Sequence, residues 1–386
     1  MVEVKVNRRA GDRVRSGHPW IYASDVVDAA GAAPGHPVLV VDTLGQVLGT
    51  AHYSSTSQIT LRILTTKRSQ ICASLFHSRI LAAQSHRDRV VQNTQAYRLV
   101  HAEADLLPGL IIDRYHDCLV LQALSQGMDL ATPEIVSVLI EFYQPRAIVA
   151  RNDAHVRKLE NLPQTKHLLH GELSGPVPVS INGLVFHADL LEGHKTGIYL
   201  DQRENYLAAA RHARGHALDC FTSTGGFALH IAAHCQSVEA ADSSAHALKA
   251  ATVNRDANSI ANVTFREADL FELLAGYANA RRRFDTVILD PPAFAKNRSS
   301  VEAALSGYRE INYRALQLLD AGGILVSCSC SHHVSEAALL EVIAQASLDA
   351  GRTLRVLDRR TQAADHPILL TVPETHYLKC LILEVV

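Results

Sequence analysis

From His216 onward the chain repeats one pattern: a short apolar run, a polar residue near its end, and then, in most repeats, a stretch of helical periodicity. HALDCF, SVEAAD, VTFREAD, DTVILD and GILVSC are the runs, and each reads as a short buried strand. Strands that alternate with helices imply a mostly parallel sheet with helices on both faces, since parallel neighbours need a crossover between them. Such a sheet gathers the C-terminal ends of its strands at one edge, where ligands bind. The search for chemistry therefore starts at those ends.

Acids stand there. Asp219 ends the first run, and LDCFTSTGGFALHIA continues through the Thr224-Gly225-Gly226 turn into a helix. Glycines at that place let a ligand approach the backbone beside a helix N-terminus. The dinucleotide fingerprint G-x-G-x-x-G is absent, which disfavours NAD. Asp242 ends the second run, 23 residues on (242 − 219), where an acid accepts hydrogen bonds from a ribose diol. Asp269 ends the third run, 27 residues later (269 − 242), on the side of an adenine amino group. Asp290 ends the fourth, 21 further (290 − 269), in LDPPAF. Singly, each is more often a helix cap. Four at successive strand ends point to a ligand site.

This pattern resembles class I S-adenosylmethionine-dependent methyltransferases. Asp219 with Gly225 is similar to their glycine loop, Asp242 to their ribose acid and Asp269 to their adenine-side acid. Asp290, Pro291, Pro292 and Phe294 form a D-P-P-x-F similar to the fourth motif of members that methylate nucleobases. There the backbone beside the acid holds the target base and the aromatic ring stacks on it. GGILVSCSCSHH then places Cys328 and Cys330 at the end of the fifth run. Carbon 5 of a pyrimidine is too electron-poor to take a methyl group directly. A thiolate that attacks carbon 6 makes carbon 5 nucleophilic. Period-two alternation puts both cysteines on one face if the strand reaches that far, and Cys330 is nearer the ligand edge. Asp290 would hydrogen-bond the cytosine ring nitrogen and amino group. The bland alternative is that both thiols are core residues.

Residues 1–68 read as short strands without a long helix, which suggests a small barrel or sandwich. Arg13, Arg15, His18, Trp20 and Tyr22 interleave basic and aromatic side chains, as in clamps for phosphates and bases. The alternative is a solvated strand with one core tryptophan. Residues 69–176 mix α and β. A third block, 177–386, opens on a hairpin turned by Asn182-Gly183.

R-x-x-S-G-H-P-W-I-Y, RLVHAEADLLPGLIIDRY, LLEGHKTGIYLDQREN and QAADHPILLTVPETHYLKCLILEVV together resemble, in order and over nearly the whole chain, the RlmI-like enzymes that form 5-methylcytosine in 23S ribosomal RNA. The resemblance implies an RNA-binding PUA domain, an EEHEAD linker domain, S-adenosylmethionine as cofactor and a homodimer. It implies that Lys195, Tyr199, Asp201, Gln202 and Arg203 lie near the methionine end of the cofactor or the substrate path. It further implies that Cys330 is the nucleophile, filling the S-C-S slot where the family has a single cysteine. Cys328 departs from that pattern.

Composition sets outer limits. At 47% apolar and 20% charged the chain is not a disordered one. A net charge of −2 advertises no nucleic acid globally, though a local basic face is compatible with it. Seven cysteines, an odd number, argue against a disulfide framework. The N-terminus has no secretory core and no apolar run approaches the ~20 residues of a membrane span, so a cytoplasmic location and no membrane partner are expected. His230, His234 and Cys235 could share a helix face, but without a further ligand cluster no metal is expected. Two rival readings remain. One is a ring-nitrogen or amino-group RNA methyltransferase without covalent catalysis. The other is a non-catalytic RNA-binding or ribosome-assembly protein that keeps the fold.

Overall fold

A computed structural model describes residues 1–193, 195–295 and 298–386, with Arg298 described by its backbone alone. Two compact units emerge. One comprises Met1–Val179, Ala188–Ile198 and Ala364–Thr375; the other comprises Ser180–His187, Tyr199–Ala363 and His376–Val386.

The first unit holds two sheets. Strands β1 (Glu3–Val6), β2 (Trp20–Tyr22), β3 (Val26–Asp28), β4 (Pro37–Val41), β5 (Val47–Tyr53) and β6 (Ile59–Thr65) form a sheet of order β2-β6-β5-β4-β1-β3. Its core includes Val4, Val6, Ile21, Val38, Val40, Leu48 and Leu61. The segment carrying Arg13 and Arg15, which admitted a strand reading, is instead helix α1 (Arg8–Arg15). Asn7 caps it by accepting from the Ala10 amide at 2.9 Å, and Ala10 and Val14, one turn apart, face the core. The second sheet, of order β11-β10-β9-β8-β7, uses β7 (Ala96–His101), β8 (Leu110–Tyr115), β9 (Cys118–Ala123), β10 (Ala147–Asn152) and β11 (Thr165–Gly171). Helices α2 (Ala73–Val90) and α4 (Thr132–Tyr143) contribute Phe76, Ile80, Ile135 and Leu139 to its core; between them lies the short α3 (Gln126–Leu130), and α5 (Val156–Leu159) follows β10.

One buried carboxylate ties these two sheets together. Glu160, wholly buried after α5, accepts from Arg62 at 2.8 Å, Ser54 at 2.6 Å and the Gln126 amide at 3.2 Å. Burial alone would raise its pKa. The Arg62 charge and these hydrogen bonds outweigh burial and hold it below the ordinary carboxylate value.

The second unit begins within a hairpin, β12 (Val177–Ile181) and β13 (Leu184–Ala188). Its turn residues Asn182 and Gly183 take φ of 54° and 88°, the left-handed pair that a two-residue hairpin loop requires. Next come α6 (Arg203–Ala210), β14 (His216–Cys220), α7 (Gly226–Ile231), β15 (Ser237–Asp242), α8 (Ala245–Ala257), β16 (Val263–Glu267), α9 (Leu270–Asn279) and β17 (Phe284–Leu289). The unit closes with α10 (Val301–Gln317), β18 (Leu319–Ser329), α11 (Glu336–Asp349), β19 (Leu354–Arg360) and β20 (Lys379–Val385). The sheet order is β16-β15-β14-β17-β18-β20-β19. Pairing is parallel from β16 through β18, and β20 enters antiparallel to both neighbours.

Glu160→Ala leaves the buried Arg62 guanidinium without its counter-charge. It is expected to destabilise the first unit by about 3–5 kcal/mol, read as a lowered urea midpoint of the full chain. A loss below about 1 kcal/mol would mean that solvent relaxes around Arg62.

Candidate active site

Sheet order reverses between β14 and β17, the crevice where doubly wound sheets bind ligands. The register sets Cys220 opposite both Leu289 and Ala241, and Leu289 opposite Ser327. Asp219, Asp242, Asp290 and Cys330 are therefore delivered to one edge. Asp290 follows β17 directly, and its amide donates to the Cys220 carbonyl at 3.3 Å, across the reversal point.

The loop leaving β14 is strained. Phe221, Ser223 and Gly225 take φ of 64°, 49° and 89°. Only glycine adopts such angles cheaply, and strain of this kind clusters at ligand sites. Asp242 secures the loop by accepting from the Ser223 amide at 2.9 Å, and Asn254 donates to the Thr224 carbonyl at 3.0 Å. Gly226 has a different task from the one its position suggests. A Cβ there would stand 2.5 Å from the Tyr206 ring, so its bareness admits that ring rather than a ligand.

Asp219 is fully buried, with Oδ2 accepting from Thr222 Oγ1 at 2.6 Å and the Ala228 amide at 3.0 Å. Burial pushes its pKa up to about 7, with a further push from Asp290 and Asp242, against the hydrogen bonds of Thr222 and Ala228. Its Oδ1 and the Ser223 hydroxyl are buried without a hydrogen-bond partner in the protein. Orphaned acceptors beside a strained glycine loop suit a polar cofactor with amino-acid and ribose groups.

The remaining residues divide. Gln202 donates to Asp290 Oδ1 at 2.9 Å and accepts from Asn205 at 2.7 Å, so it orients the fourth acid. Asp201 is buried and accepts from the Tyr377 hydroxyl at 2.8 Å. Arg203 is buried beside Glu204, at 3.4 Å. The Tyr199 carbonyl accepts from the Tyr206 hydroxyl at 3.2 Å. Asp269, expected to end a strand, lies two residues past β16, exposed, and caps α9 through the amides of Phe271 and Glu272 at 2.9 and 3.1 Å. Pro291 is buried and Pro292 exposed. Phe294 packs on Tyr308, with ring centroids 4.7 Å apart.

The two cysteines differ sharply. β18 stops at Ser329, so strand alternation does not extend to Cys330. Cys328 is wholly buried opposite Cys380 of β20, and burial raises its thiol well above the ordinary value. Cys330 is half-buried past the strand end, with Sγ 3.9 Å from the Pro291 carbonyl.

Arg13, Arg15, Trp20 and Lys195 belong to the first unit. Arg13 is bonded to Asp25 and Arg15 to Asp42, each at 2.6 Å, and Trp20 Nε1 donates to Glu103 at 2.9 Å. Lys195 is exposed at a φ of 52°. His230 is stacked against Phe186 and Tyr206 and donates to the Gly226 carbonyl through Nδ1, and burial lowers its pKa to about 4. Among the described residues no group of three or more His, Cys, Asp or Glu is placed to hold a metal, and no helix is long and apolar enough to cross a membrane. Sequence reasoning missed Tyr206, Asn205, Tyr377 and Lys379. Burial marks Tyr206, Asn205 and Lys379, the bond to Asp201 marks Tyr377, and no local pattern encodes either.

Sheet order, strained loop and strand-end acids together define the second unit as an S-adenosylmethionine-dependent methyltransferase domain. The family described as S-adenosylmethionine-dependent methyltransferase matches residues 150–380, and the PUA-like domain family matches residues 4–66. Ribosomal RNA large subunit methyltransferase I of Shewanella frigidimarina is 42% identical over 378 residues, covering 95% of both chains. The protein of that name from Tolumonas auensis is 41% identical, covering 96% of both. Among solved structures, a methyltransferase-fold protein complexed with SAH superposes with a TM-score of 0.87 at 19% identity, covering 100% of both chains. The chain belongs to the ribosomal RNA large subunit methyltransferase I family, and S-adenosylmethionine is its cofactor.

Because Asp219 binds a proton more tightly folded than unfolded, its contribution to stability is greatest below about pH 4 and is lost as pH rises towards 7. Without cofactor, Asp219→Asn is expected to remove a downward slope of up to about 1.4 kcal/mol per pH unit across that window, measured by urea unfolding. Parallel profiles for the two proteins would refute the buried, proton-binding acid.

Proposed function

We propose that this enzyme methylates carbon 5 of cytosine in 23S ribosomal RNA through a covalent bond between Cys330 and carbon 6. The carrying observation is the contrast between the two thiols. Cys328 is sealed into the sheet, whereas Cys330 sits past the strand end, 3.9 Å from the Pro291 carbonyl in the D-P-P-x-F loop. The names of the relatives, ribosomal RNA large subunit methyltransferase I, support the RNA class of substrate. A PUA-like domain at residues 4–66 supports RNA binding.

The cofactor supplies an electrophilic methyl group on sulfur. Asp242 is assigned to its ribose hydroxyls, and Asp219 with the Thr224-Gly225 turn to its amino-acid end. Asp269 keeps an adenine-side role only through the carboxylate oxygen that does not cap α9. Asp290, held by Gln202, is assigned to the cytosine amino group, from which its carboxylate accepts, and to the ring nitrogen once that nitrogen takes up a proton on thiolate addition. Pro291 and Pro292 would border the base, with Phe294 offering the ring face that Tyr308 does not cover. Asp201 and Arg203, both buried, would act by shaping the wall, and Tyr199 would line the path. In the first unit, Trp20, Arg13 and Arg15 can contact RNA only in competition with their carboxylate partners.

Attack of the Cys330 thiolate on carbon 6 places electron density on carbon 5, which takes the methyl group. A base, with solvent as the final acceptor, then takes the carbon-5 proton while the carbon 6–sulfur bond breaks, which restores the ring double bond and releases the Cys330 thiolate. The test is nucleoside mass spectrometry after incubation with S-adenosylmethionine and unmodified 23S ribosomal RNA. New 5-methylcytosine is expected with the wild type and none above background with Cys330→Ala. A different methylated base, or an active variant, would move the assignment to direct ring-nitrogen or amino-group transfer.

A further inference from the structure

An ordinary thiol, with a pKa of about 8.5, is mostly protonated at neutral pH. A positive group beside a nucleophilic cysteine raises the fraction present as thiolate. Lys379 supplies one. It opens β20 and is 3% exposed, an unusual place for an ammonium group. Its Nζ donates to the carbonyl oxygens of Ser331 at 2.7 Å and Tyr377 at 2.8 Å. Ser331 is the residue after Cys330, so the ammonium is fixed against the turn that carries the sulfur. No carboxylate forms an ion pair with it among the described residues.

Other ionisable groups frame the pair. Glu336 in the first turn of α11 and Cys330 itself both favour the protonated lysine; burial opposes them and brings its pKa down to about 8. Tyr308 of α10 reaches Ser331 Oγ at 3.0 Å, and burial raises its own pKa, so it stays neutral. Asp290 precedes Pro291, whose carbonyl meets the thiol. His332 stacks on Tyr377 at 5.3 Å. Lys379 is a cationic side chain bonded to the Cys330–Ser331 turn.

We propose that Lys379 is a positioning residue for Cys330: its buried ammonium, clamped on the Ser331 carbonyl, holds the adjacent sulfur as the thiolate. The S–H bond breaks, its proton passes to solvent, and the sulfur electron pair is then free to form the bond to carbon 6. The inference rests on Cys330 being the nucleophile.

The test is the pH profile of Cys330 alkylation by iodoacetamide in the full chain. Peptide mass spectrometry separates Cys330 from the other cysteines, and Cys72, in the first unit, serves as internal reference. The wild-type inflection is expected at least one unit below about 8.5. Lys379→Met should move it up and slow alkylation at neutral pH about tenfold, while the rate at about pH 10, where an ordinary exposed thiol is ionised, stays unchanged. Lys379→Arg should keep the low inflection. A wild-type inflection at or above about 8.5 overturns the proposal even if Lys379→Met does not fold. So does a Lys379→Met profile altered only in its alkaline plateau, which is the mark of a merely structural lysine. Absence of 5-methylcytosine with a shifted profile would sink the cytosine reading and leave this one standing. Product that depends on Cys330, with an unmoved profile, would do the reverse.

Discussion

Parallel pairing of β14 with β15 and β17 is the constraint on which the site depends. Parallel strands in register end together, and each crossover restarts the next strand at the far edge. Whatever residue follows each strand is therefore brought to one rim. Asp219, Asp242 and Asp290 are 71 residues apart in sequence from first to last (290 − 219), yet all meet there. The reversal of order between β14 and β17 opens a crevice at that rim, and the Asp290 amide donates across it to the Cys220 carbonyl.

That rim is organised by differences in burial. Asp219 is sealed in and binds its proton near neutrality, while Asp242 spends its carboxylate on the backbone of the loop. Asp290 is steered by a neutral amide, Gln202, which orients the acid without neutralising it. Across the sheet, β20 contributes the one feature that a purely parallel sheet would lack. Entering antiparallel beside β18, it brings its first residue, Lys379, to the same end as the last residues of β18, because Ser329 pairs with Lys379. Antiparallel insertion thus juxtaposes a strand start with a strand finish, and with them an ammonium and a thiol.

In the first unit the guanidinium groups serve the fold. Arg62 holds Glu160, Arg13 holds Asp25, and Arg98 grips Asp113 through two hydrogen bonds of 2.8 and 3.0 Å. Asp113 also accepts from Thr196 at 2.6 Å, which fastens the segment after Lys195 to β8. These guanidinium groups are already engaged with carboxylates of the fold.

Much of this was legible in the amino-acid sequence. Strand–helix alternation, the Asn182-Gly183 turn and the acids at strand ends are local signals of period and residue type, and local signals survive without coordinates. Motifs also singled out Cys330 over Cys328. Three things were not legible: that Arg13 rides a helix and is already paired, that Gly226 makes room for Tyr206, and that Lys379 is buried against the turn after Cys330. Each depends on a partner supplied by a distant or differently oriented segment. Sequence alone determined which residue types reach the rim, because periodicity fixes where strands end. Tertiary structure decided which of them keep their charge, because desolvation and pairing are properties of neighbours in space.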